Sequence, residues 1–522
     1  MLHIVLCVLY FVVLLALSAY GLHRLHLVVL CWRNRRHIAA APLLAGEPVS
    51  DDELPRVTVQ LPLFNESTVA TRLLEAVAAI DYPRDKLEIQ VLDDSTDETQ
   101  ALVRTHVERL RARGIDAVYL HRVDRVGYKA GALDAGLKVA KGSLVAIFDA
   151  DFLPQPQFLR DIVGHFRDPH VAMVQTRWGH LNRDVSTLTK IQALMLDGHH
   201  MVENRARYGA KLLFNFSGTG GMWRAAAIAD AGGWQHDTLT EDLDLSYRAQ
   251  LRGWKFVYRP DVVSPSELPE DLSALRAQQY RWAKGTVQTA RKLLARLLTP
   301  VSKGGPALTV GQRIEAFFHL TPHFAYPLLM SLSLLLLPAL VLMPATDTLT
   351  MVLVDLPLCV ATTGSLAAFY MLAESAQGRP RVGALARLPM IIAIGTGLAP
   401  HLTKAVYEGM SNMAGEFVRT PKQGTQKGRY RTRATFPMLE SGLCLLSFAA
   451  MVASVQTGHW FATPFAGLFT IGYGYVAILV AHEQASRRRD ATAVPSSGEV
   501  DPVTGERRST PAPADTVGDL AA

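Results

Sequence analysis

The sequence predicts an α/β domain set between transmembrane helices, and two observations lead to that prediction. Short runs of β-branched and apolar residues alternate with helical patterns over residues 50–270, which is typical of a largely parallel sheet. Apolar stretches of about 20 residues or more, the length needed to cross a bilayer, flank that domain on both sides. Hydrophobic residues make up 49% of the 522-residue chain, in keeping with a membrane protein.

Residues 1–36 are predicted to form an N-terminal transmembrane anchor. Residues 1–31 are almost continuously apolar, and three arginines follow within residues 33–36. A secretory signal peptide would carry its basic charge before the apolar run and a small-residue cleavage site after it. The charge follows the run here, so we expect an uncleaved anchor with its amino terminus outside and the next domain in the cytoplasm.

Basic charge elsewhere also favours a membrane over a nucleic acid. The formal net charge is +6, but many Lys and Arg residues flank apolar stretches, as at residues 487–489. We therefore expect no nucleic-acid partner. No CxxC spacing occurs, so neither a zinc site nor a disulfide framework is expected. The four cysteines all lie in or beside apolar stretches: Cys7, Cys31, Cys359 and Cys444.

Three predicted strands of the central domain, 50–270, are each followed by a polar cluster. The strands are 57–61, 87–92 and 144–148. The clusters that follow them are 62–66, 93–95 and 149–151. Because the carboxyl ends of parallel strands meet at one edge of a sheet, these clusters are expected to share a ligand site there.

Asp149 and Asp151 form an Asp-x-Asp tripeptide directly after an apolar strand. Carboxylate oxygens are the ligands that Mg²⁺ and Mn²⁺ prefer, and such a cation can neutralise a departing diphosphate. The same tripeptide also occurs as a solvated turn. The position after the strand favours a metal site without establishing it.

A second acidic cluster, Thr240-Glu241-Asp242, lies beyond the Gly-rich stretch 217–221. Acids in the first turn of a helix favour its amino terminus. One of these carboxylates is also placed to act as a base toward an acceptor hydroxyl, and both interpretations can hold at once. No Lys-Ser or Lys-Thr follows the Gly-rich stretch, so a P-loop is not expected.

Residues 271–300 mix basic and apolar residues at helical spacing, which predicts an amphipathic helix in the membrane interface. The segment contains Gln278, Arg281 and Trp282. A tryptophan beside a membrane is ordinarily part of the interfacial aromatic belt. The alternative is that Trp282 stacks on a sugar ring while Arg281 contacts a diphosphate.

The region 312–485 is predicted to hold further membrane helices that form a channel. With the amino-terminal anchor there would be five spans. Residues 388–411 are apolar but flanked by basic residues on both sides, so an in-plane or re-entrant helix is expected there. Residues 486–522 have few large apolar residues and are expected to be a disordered cytoplasmic tail. The four later spans are 317–343, 347–373, 436–457 and 460–482.

Taken together, the motifs resemble the D, DxD, TED and QxxRW signature of processive family 2 glycosyltransferases, which include the cellulose, chitin and hyaluronan synthases. The strings at 90–97, 127–133 and 148–152 are most similar to the cellulose-synthase-like A and C groups, which make mannan or glucan backbones. The matching motifs are Asp93-Asp94, Asp149-x-Asp151, Thr240-Glu241-Asp242 and Gln278-x-x-Arg281-Trp282.

The resemblance implies a GT-A-like, Rossmann-like cytoplasmic domain and a role for each matching residue. The implied nucleotide-binding residues are Pro62, Glu66, Asp93, Asp94 and Lys129. Asp149 and Asp151 would hold Mg²⁺ or Mn²⁺. Asp242 would be the general base, with Glu241 and Thr240 beside it. Gln278, Arg281 and Trp282 would contact the diphosphate and the acceptor.

A further match lies at residues 417–422, within the segment 412–434. This stretch is similar to the FxVTxK gating loop of cellulose synthases and implies gating roles for Phe417, Thr420 and Lys422. Arg419 replaces the usual valine, so the detailed contacts of the loop are expected to differ.

The implied activity is inverting polymerisation of a β-linked, β-1,4 glucan or mannan from UDP-glucose or GDP-mannose, with export of the product. One alternative is a non-processive enzyme that makes a glycolipid; another is a transporter or scaffold with a degenerate sugar-nucleotide domain. The expected partners are the nucleotide-sugar donor, the growing glycan, membrane lipid and accessory export subunits. The expected location is the plasma membrane, crossed several times.

Overall fold

The structure is a computed structural model, and it describes residues 2–42, 46, 48–342, 357, 359–413 and 437–493. A seven-stranded mixed sheet forms the centre of the domain between the membrane helices, in the order β3-β2-β1-β4-β6-β5-β7. The strands are β1 (Val57–Leu63), β2 (Leu87–Asp93), β3 (Asp116–His121), β4 (Leu144–Ile147), β5 (Val171–His180), β6 (Gly221–Arg224) and β7 (Lys255–Ser266).

The three strands predicted from the sequence are β1, β2 and β4, and each begins at the predicted residue. They pair in parallel, with β1 between β2 and β4. Every residue of β2 and β4 is buried. The sequence of β4 is accordingly all apolar, whereas the buried Glu88 and Gln90 of β2 are hydrogen-bonded to Thr58 and Gln60 of β1. The strands that follow β1 in the chain, β2 and β3, lie on one side of β1, and β4 lies on the other side. Because the strand order reverses at this point, a crevice opens at the carboxyl ends of β1 and β4.

One short strand reverses the direction of the sheet. β6 pairs antiparallel with β4 and with β5, and Ile147 at the end of β4 lies opposite Gly221 at the start of β6. The Gly-rich stretch 217–221 therefore enters the sheet at the edge where β4 ends. This arrangement places two separate loops at one end of β4.

Helices cover the sheet and close one apolar core around it. Thr240 precedes α10, whose first residues are Glu241 and Asp242. A single π-helical turn, His199–Glu203, joins α7 to α8. The helices of this domain are α3 (Ala70–Ala78), α4 (Thr99–Ala112), α5 (Tyr128–Leu137), α6 (Phe158–Val163), α7 (Thr187–Gly198), α8 (Asn204–Gly209), α9 (Ala225–Asp230) and α10 (Glu241–Gln250).

The remaining helices stand on both sides of the domain in sequence and pack around further apolar cores. The predicted amphipathic helix is observed as α11 (Leu272–Leu298), a single helix of 27 residues. The others are α1 (Leu2–Arg33), α2 (Arg35–Ala39), α12 (Val310–Leu320), α13 (Ala325–Leu342), α14 (Ser365–Ser375), α15 (Arg381–Ser411), α16 (Met438–Gln456) and α17 (Thr463–Ala493).

By length and composition, five helical segments among the described residues can cross a membrane. Four coincide with the predicted spans in α1, α13, α16 and α17. The fifth is α15, which joins residues 388–411 to the basic residues before them in one helix of 31 residues. Its in-plane placement stays a prediction. The segments are Ile4–Arg33, Pro322–Leu342, Arg381–Ser411, Met438–Gln456 and Thr463–Ala485.

Two further predictions concern the carboxyl-terminal half, the span 347–373 and the tail 486–522, and the structure describes only part of each segment. Residues 347–356 and 358 of the predicted span 347–373 lie outside the described residues, and most of its described part is a π-helical turn, Val360–Gly364, followed by α14. The helix α17 continues to Ala493, so the predicted disordered tail is helical at its beginning. That prediction is wrong for residues 486–493, where the helix simply continues beyond the apolar stretch.

Candidate active site

A cleft of about 180 Å³ opens at the carboxyl ends of β1 and β4, between the loops that follow these strands, the start of α10 and one face of α11. It brings together nearly every site residue that the sequence predicted within residues 48–342. Those lining it are Pro62, Glu66, Asp94, Lys129, Asp149, Asp151, Thr240, Glu241, Asp242, Gln278, Arg281 and Trp282. Phe417, Thr420 and Lys422 lie outside the described residues.

Asp93 is the last residue of β2 and Asp94 follows it, but their side chains occupy different positions. Asp94 lines the cleft, where the Arg122 guanidinium donates to both of its oxygens at 2.9 and 2.6 Å. Asp93 is fully buried beneath the cleft, and it accepts hydrogen bonds from the Ser95 amide at 3.0 Å and the Tyr119 hydroxyl at 2.7 Å. Asp93 therefore supports the loop from below, whereas Asp94 faces the cleft.

Arg125 is a cleft residue that the sequence reasoning missed. Its guanidinium lies 3.3 Å from the centre of the Phe64 ring, a cation–π contact across the rim of the cleft. Its backbone φ is +45°, a conformation that is uncommon for a residue with a side chain. The only signal in the sequence was its place just before the Gly127-Tyr128-Lys129 string, which does not indicate orientation.

Lys129 connects the loop after β4 to the Gly-rich stretch. Its ammonium group donates to Asp149 Oδ1 at 2.5 Å and to the Gly218 carbonyl at 3.0 Å. Burial alone would lower the pKa of Lys129, but the nearby carboxylates outweigh burial and raise that pKa. The Thr219 hydroxyl also accepts the Asp149 amide at 2.9 Å. The Gly-rich stretch is therefore part of the site, although it is not a P-loop.

Asp242 lies in the first turn of α10 and faces Gly218 across the cleft. A Cβ atom on Gly218 would lie 2.9 Å from Asp242 Oδ2, and the Gly218 φ of +81° also favours glycine. Burial and the neighbouring Glu241 carboxylate raise the pKa of Asp242 to about 7. Burial raises the pKa of Glu241 as well, against the attraction of Lys129. The two acids lie close together in a poorly solvated site, so the pair binds a proton at a higher pH than an isolated, solvated carboxylate would.

The helix α11 supplies the opposite wall of the cleft with Gln278, Arg281 and Trp282. Burial lowers the pKa of Arg281, while Glu241 and Asp149 oppose that effect. The guanidinium remains charged because its ordinary pKa is so high. A cation on the α11 side thus faces the acids on the strand side, which suits the binding of a diphosphate between them.

Trp178 of β5 also lines the cleft and was missed from the sequence. Its ring packs edge-on against Phe152, with centroids 5.2 Å apart. Trp223 and Trp234, by contrast, are packing residues, since both are buried in aromatic contacts. Nothing in the local sequence distinguishes Trp178 from these two, because the pairing of β5 with distant strands decides which tryptophan reaches the cleft.

The carboxylate side chains of the cleft determine whether it can bind a divalent metal ion. No group of three or more His, Cys, Asp or Glu side chains suited to a metal occurs in the described parts of the chain. Asp149 and Asp151 nevertheless place two carboxylates in the cleft. A Mg²⁺ or Mn²⁺ ion bound by one or two carboxylates and by substrate phosphates needs no more than this from the protein, so the residues fit such an ion.

Comparisons with known proteins agree with this site. The sequence model of the family described as "Glycosyltransferase like family 2" matches residues 55–285. Glucomannan 4-beta-mannosyltransferase 1 from Oryza sativa subsp. japonica is 33% identical over 468 residues, covering 83% of this chain and 86% of that protein. Glucomannan 4-beta-mannosyltransferase 2 from Arabidopsis thaliana is 44% identical over 263 residues, or 48% of this chain and 49% of that protein.

Among solved structures, a mannosyltransferase from Pyrobaculum calidifontis in complex with GDP-Man and Mn²⁺ is 23% identical, with a TM-score of 0.48. The match covers 70% of this chain and 97% of that one. The family match spans the whole domain that forms the cleft, and the rice protein is similar over most of both chains. The chain therefore belongs to glycosyltransferase family 2, as an inverting, membrane-embedded glycosyltransferase that groups with the glucomannan 4-beta-mannosyltransferases.

Proposed function

We propose that this enzyme polymerises a β-1,4-linked, mannose-containing glycan, with GDP-mannose as its main donor and UDP-glucose as a second donor. The observation that carries the proposal is the single cleft that holds Asp94, Asp149, Asp242 and Arg281 together. The likeness to glucomannan 4-beta-mannosyltransferases over most of the chain supports the choice of mannose.

The donor nucleotide is proposed to lie along the ends of β1 and β2. Asp94, held by Arg122, would accept hydrogen bonds from the base, and Pro62 and Glu66 would flank it. The ammonium of Lys129 would move from Asp149 to the diphosphate when the donor binds, since a phosphate oxygen offers it a stronger charge. Asp93 would act indirectly, by holding the loop that carries Asp94.

Asp149 and Asp151 are proposed to hold Mg²⁺ or Mn²⁺ beside the diphosphate. The ion, when bound, neutralises negative charge on the departing nucleoside diphosphate. The Arg281 guanidinium faces the same region from α11 and would stabilise that charge from the opposite side.

Asp242 is proposed to be the general base. Its carboxylate would take the proton from the acceptor hydroxyl as that oxygen attacks the anomeric carbon of the donor, and the bond to the diphosphate breaks on the opposite face. A base with a pKa near the working pH is well suited to this transfer. Displacement from an α-linked donor inverts the anomeric carbon and gives a β-linkage.

The acceptor end of the glycan is proposed to stack on Trp282 and Trp178, which both line the cleft. The product would leave through the helices that pack behind α11, because a polar glycan cannot cross bare hydrocarbon. The expected setting is the plasma membrane, with the cleft on the cytoplasmic side. Accessory export subunits are an expected partner, and the segment 412–434 is proposed to act as a gating loop.

The test is incorporation of radiolabel by the purified, detergent-solubilised enzyme from GDP-mannose, UDP-glucose or both, with Mg²⁺ or Mn²⁺ present or chelated. The expected product is long, needs the metal, and is cleaved by β-1,4-mannanase. Label that extracts only into organic solvent would overturn the polymerase in favour of a glycolipid synthase. A product from UDP-glucose alone, cleaved only by glucanase, would overturn the assignment of mannose.

A further inference from the structure

The helix α11 contacts different parts of the molecule on different faces. One face carries Arg281 and Trp282 and lines the cleft. Another face contacts the membrane-region helices. Arg276 pairs with Glu440 of α16 at 3.0 Å, and Lys284 pairs with Glu408 of α15 at 2.9 Å. The helix thus lies between the reaction site and the helices behind it.

Gln288 lies on this helix and is fully buried. Its side-chain carbonyl accepts a hydrogen bond from the Leu239 amide at 2.9 Å. Its side-chain NH₂ group donates to the Asn412 carbonyl, also at 2.9 Å. Leu239 begins the acidic turn, residues 239–242, which ends in the proposed base. Asn412 is the residue at the end of α15. One amide therefore joins the acidic turn to the end of α15.

The orientation of this amide is fixed by its partners. A backbone N–H can only donate, and a backbone carbonyl can only accept, so the Gln288 oxygen faces Leu239 and its nitrogen faces Asn412. No other residue type carries both groups at the length of glutamine. Without the side chain, the amide of the half-buried Leu239 and the carbonyl of the exposed Asn412 would both lose this partner, and the link between them would be lost.

Close packing leaves little freedom for either neighbour of Gln288 to move. A Cβ atom on Gly285 of α11 would lie 2.8 Å from the Thr240 amide nitrogen in the acidic turn. A Cβ atom on Gly409 of α15 would lie 2.8 Å from the Lys284 carbonyl oxygen. The two glycines let α11 contact the acidic turn on one side and α15 on the other. The Thr240 and Thr289 hydroxyls add a hydrogen bond of 3.1 Å on the side of the turn.

We propose that Gln288 is a positioning residue for the transfer step, and that it sets the place of Asp242 by joining the acidic turn to the end of α15. The inference rests on the proposed role of Asp242 as the base. Gln288 does not line the cleft and would contact neither donor nor acceptor. It acts through Leu239, three residues before the base.

The position of Gln288 predicts that its loss affects the rate of sugar transfer and not the binding of the donor. Apart from Arg281 on α11, the proposed donor contacts come from Lys129 and the ends of β1, β2 and β4, which Gln288 does not touch. Loss of the Gln288 amide should therefore displace the base and leave donor binding in place. Small displacements of catalytic groups have large effects on rate, since a shift of about 1 Å can cost roughly 100-fold.

The experiment compares Gln288→Met and Gln288→Glu with the wild-type enzyme, measuring sugar transfer from GDP-mannose, the donor KM, and GDP binding to count folded enzyme. Methionine fills the space but makes neither hydrogen bond. We expect a fall in kcat of roughly 10- to 100-fold, with the donor KM within about twofold of wild type. Glutamate keeps an acceptor for the Leu239 amide, so it should retain more of the rate than methionine.

Gln250→Met is the matched control. Gln250 lies at the far end of α10, and its amide likewise bonds a backbone N–H and carbonyl, both of Phe214. The Gln250→Met variant should lose comparable stability but keep the wild-type transfer rate per folded enzyme.

The proposal is overturned if Gln288→Met transfers sugar at the wild-type rate, or if Gln288→Met changes only the donor KM. It is also overturned if Gln288→Glu has no higher kcat than Gln288→Met. Absence of transfer by the wild type would instead count against the proposed function. If Gln288→Met does not fold, the kcat and donor KM of Gln288→Glu are compared with those of the wild type. A wild-type kcat for Gln288→Glu would then overturn the proposal.

Discussion

The two walls of the cleft are held in place in different ways. The strand wall, at the ends of β1, β2 and β4, has its charged groups paired within the same domain, as Asp94 is with Arg122 and Asp149 with Lys129. The helix wall consists of α10 and α11. Here α11 is held by Glu440 and by Glu483, which come from α16 and α17.

This difference indicates which steps of the reaction depend on the membrane region. The proposed donor site belongs to a domain whose buried parallel strands would hold it in any environment. The proposed base lies on α10 and the acceptor residue Trp282 on α11, and α11 is paired with the membrane-region helices. Donor binding should therefore resist changes in the membrane helices, whereas transfer should respond to them. Each prediction below tests one side of this division.

The largest effect is expected from Asp242→Asn on the helix wall. Asparagine keeps the size of the side chain but cannot take a proton, so transfer should fall by roughly 10²- to 10⁴-fold. Nucleotide binding on the strand wall should remain, as measured by titration with GDP. Transfer near the wild-type rate would remove Asp242 from the mechanism.

Arg122→Ala tests the strand wall. The change removes both hydrogen bonds to Asp94, so the donor KM should rise about tenfold, because bonds to charged groups contribute about 1.5–3 kcal/mol. The kcat should change little. Arg122→Lys keeps the charge but cannot make the bidentate contact, so its donor KM should lie between those of the wild type and Arg122→Ala. Steady-state kinetics would contradict the division if Arg122→Ala lowered kcat and left the KM unchanged.

Glu483→Ala tests the link from the membrane region to α11. Glu483 accepts a hydrogen bond from the Leu272 amide at 2.8 Å and another from the Ser273 hydroxyl, both at the start of α11. Loss of these bonds should lower kcat about threefold without changing the donor KM. Glu483→Gln retains an acceptor and should behave nearly as wild type. Equal losses in both variants would mean that charge, and not hydrogen bonding, holds α11.

The last prediction is the pH dependence of the rate, which is the smallest effect when it is measured near neutral pH. The base must be a carboxylate, and the pKa of Asp242 is raised to about 7, so its carboxylate fraction grows as the pH rises through that value. We expect about half of the plateau rate at pH 7 and a tenfold fall per unit well below it. Rates from pH 5.5 to 8.5 at saturating donor would show this. A flat profile would indicate that the chemical step does not limit turnover.

The sequence predicted residues on both walls of the cleft, but it did not predict the contacts that hold those walls in place. The acids at the ends of β1, β2 and β4 follow short apolar runs, and a parallel sheet brings such ends together whatever the remaining strands do. Arg122 and Trp178 were missed because β3 and β5 are placed by pairing with distant strands. Pairs such as Arg276 with Glu440 join residues far apart in the chain, and no local pattern indicates them.

The reversed strand β6 has a consequence for how this enzyme can be altered. Since β6 starts where β4 ends, the loop that leads into β6 cannot change length without moving the carbonyl and hydroxyl groups that Lys129 and Asp149 use. Leu213, Phe214 and Phe216 in the connection from α8 to β6 are also buried, so only the exposed Lys211 offers a place for an insertion there. Engineers who seek a new donor should therefore keep the length of residues 217–219 constant, keep Gly218 and Thr219, and vary only Ser217, which lines the cleft.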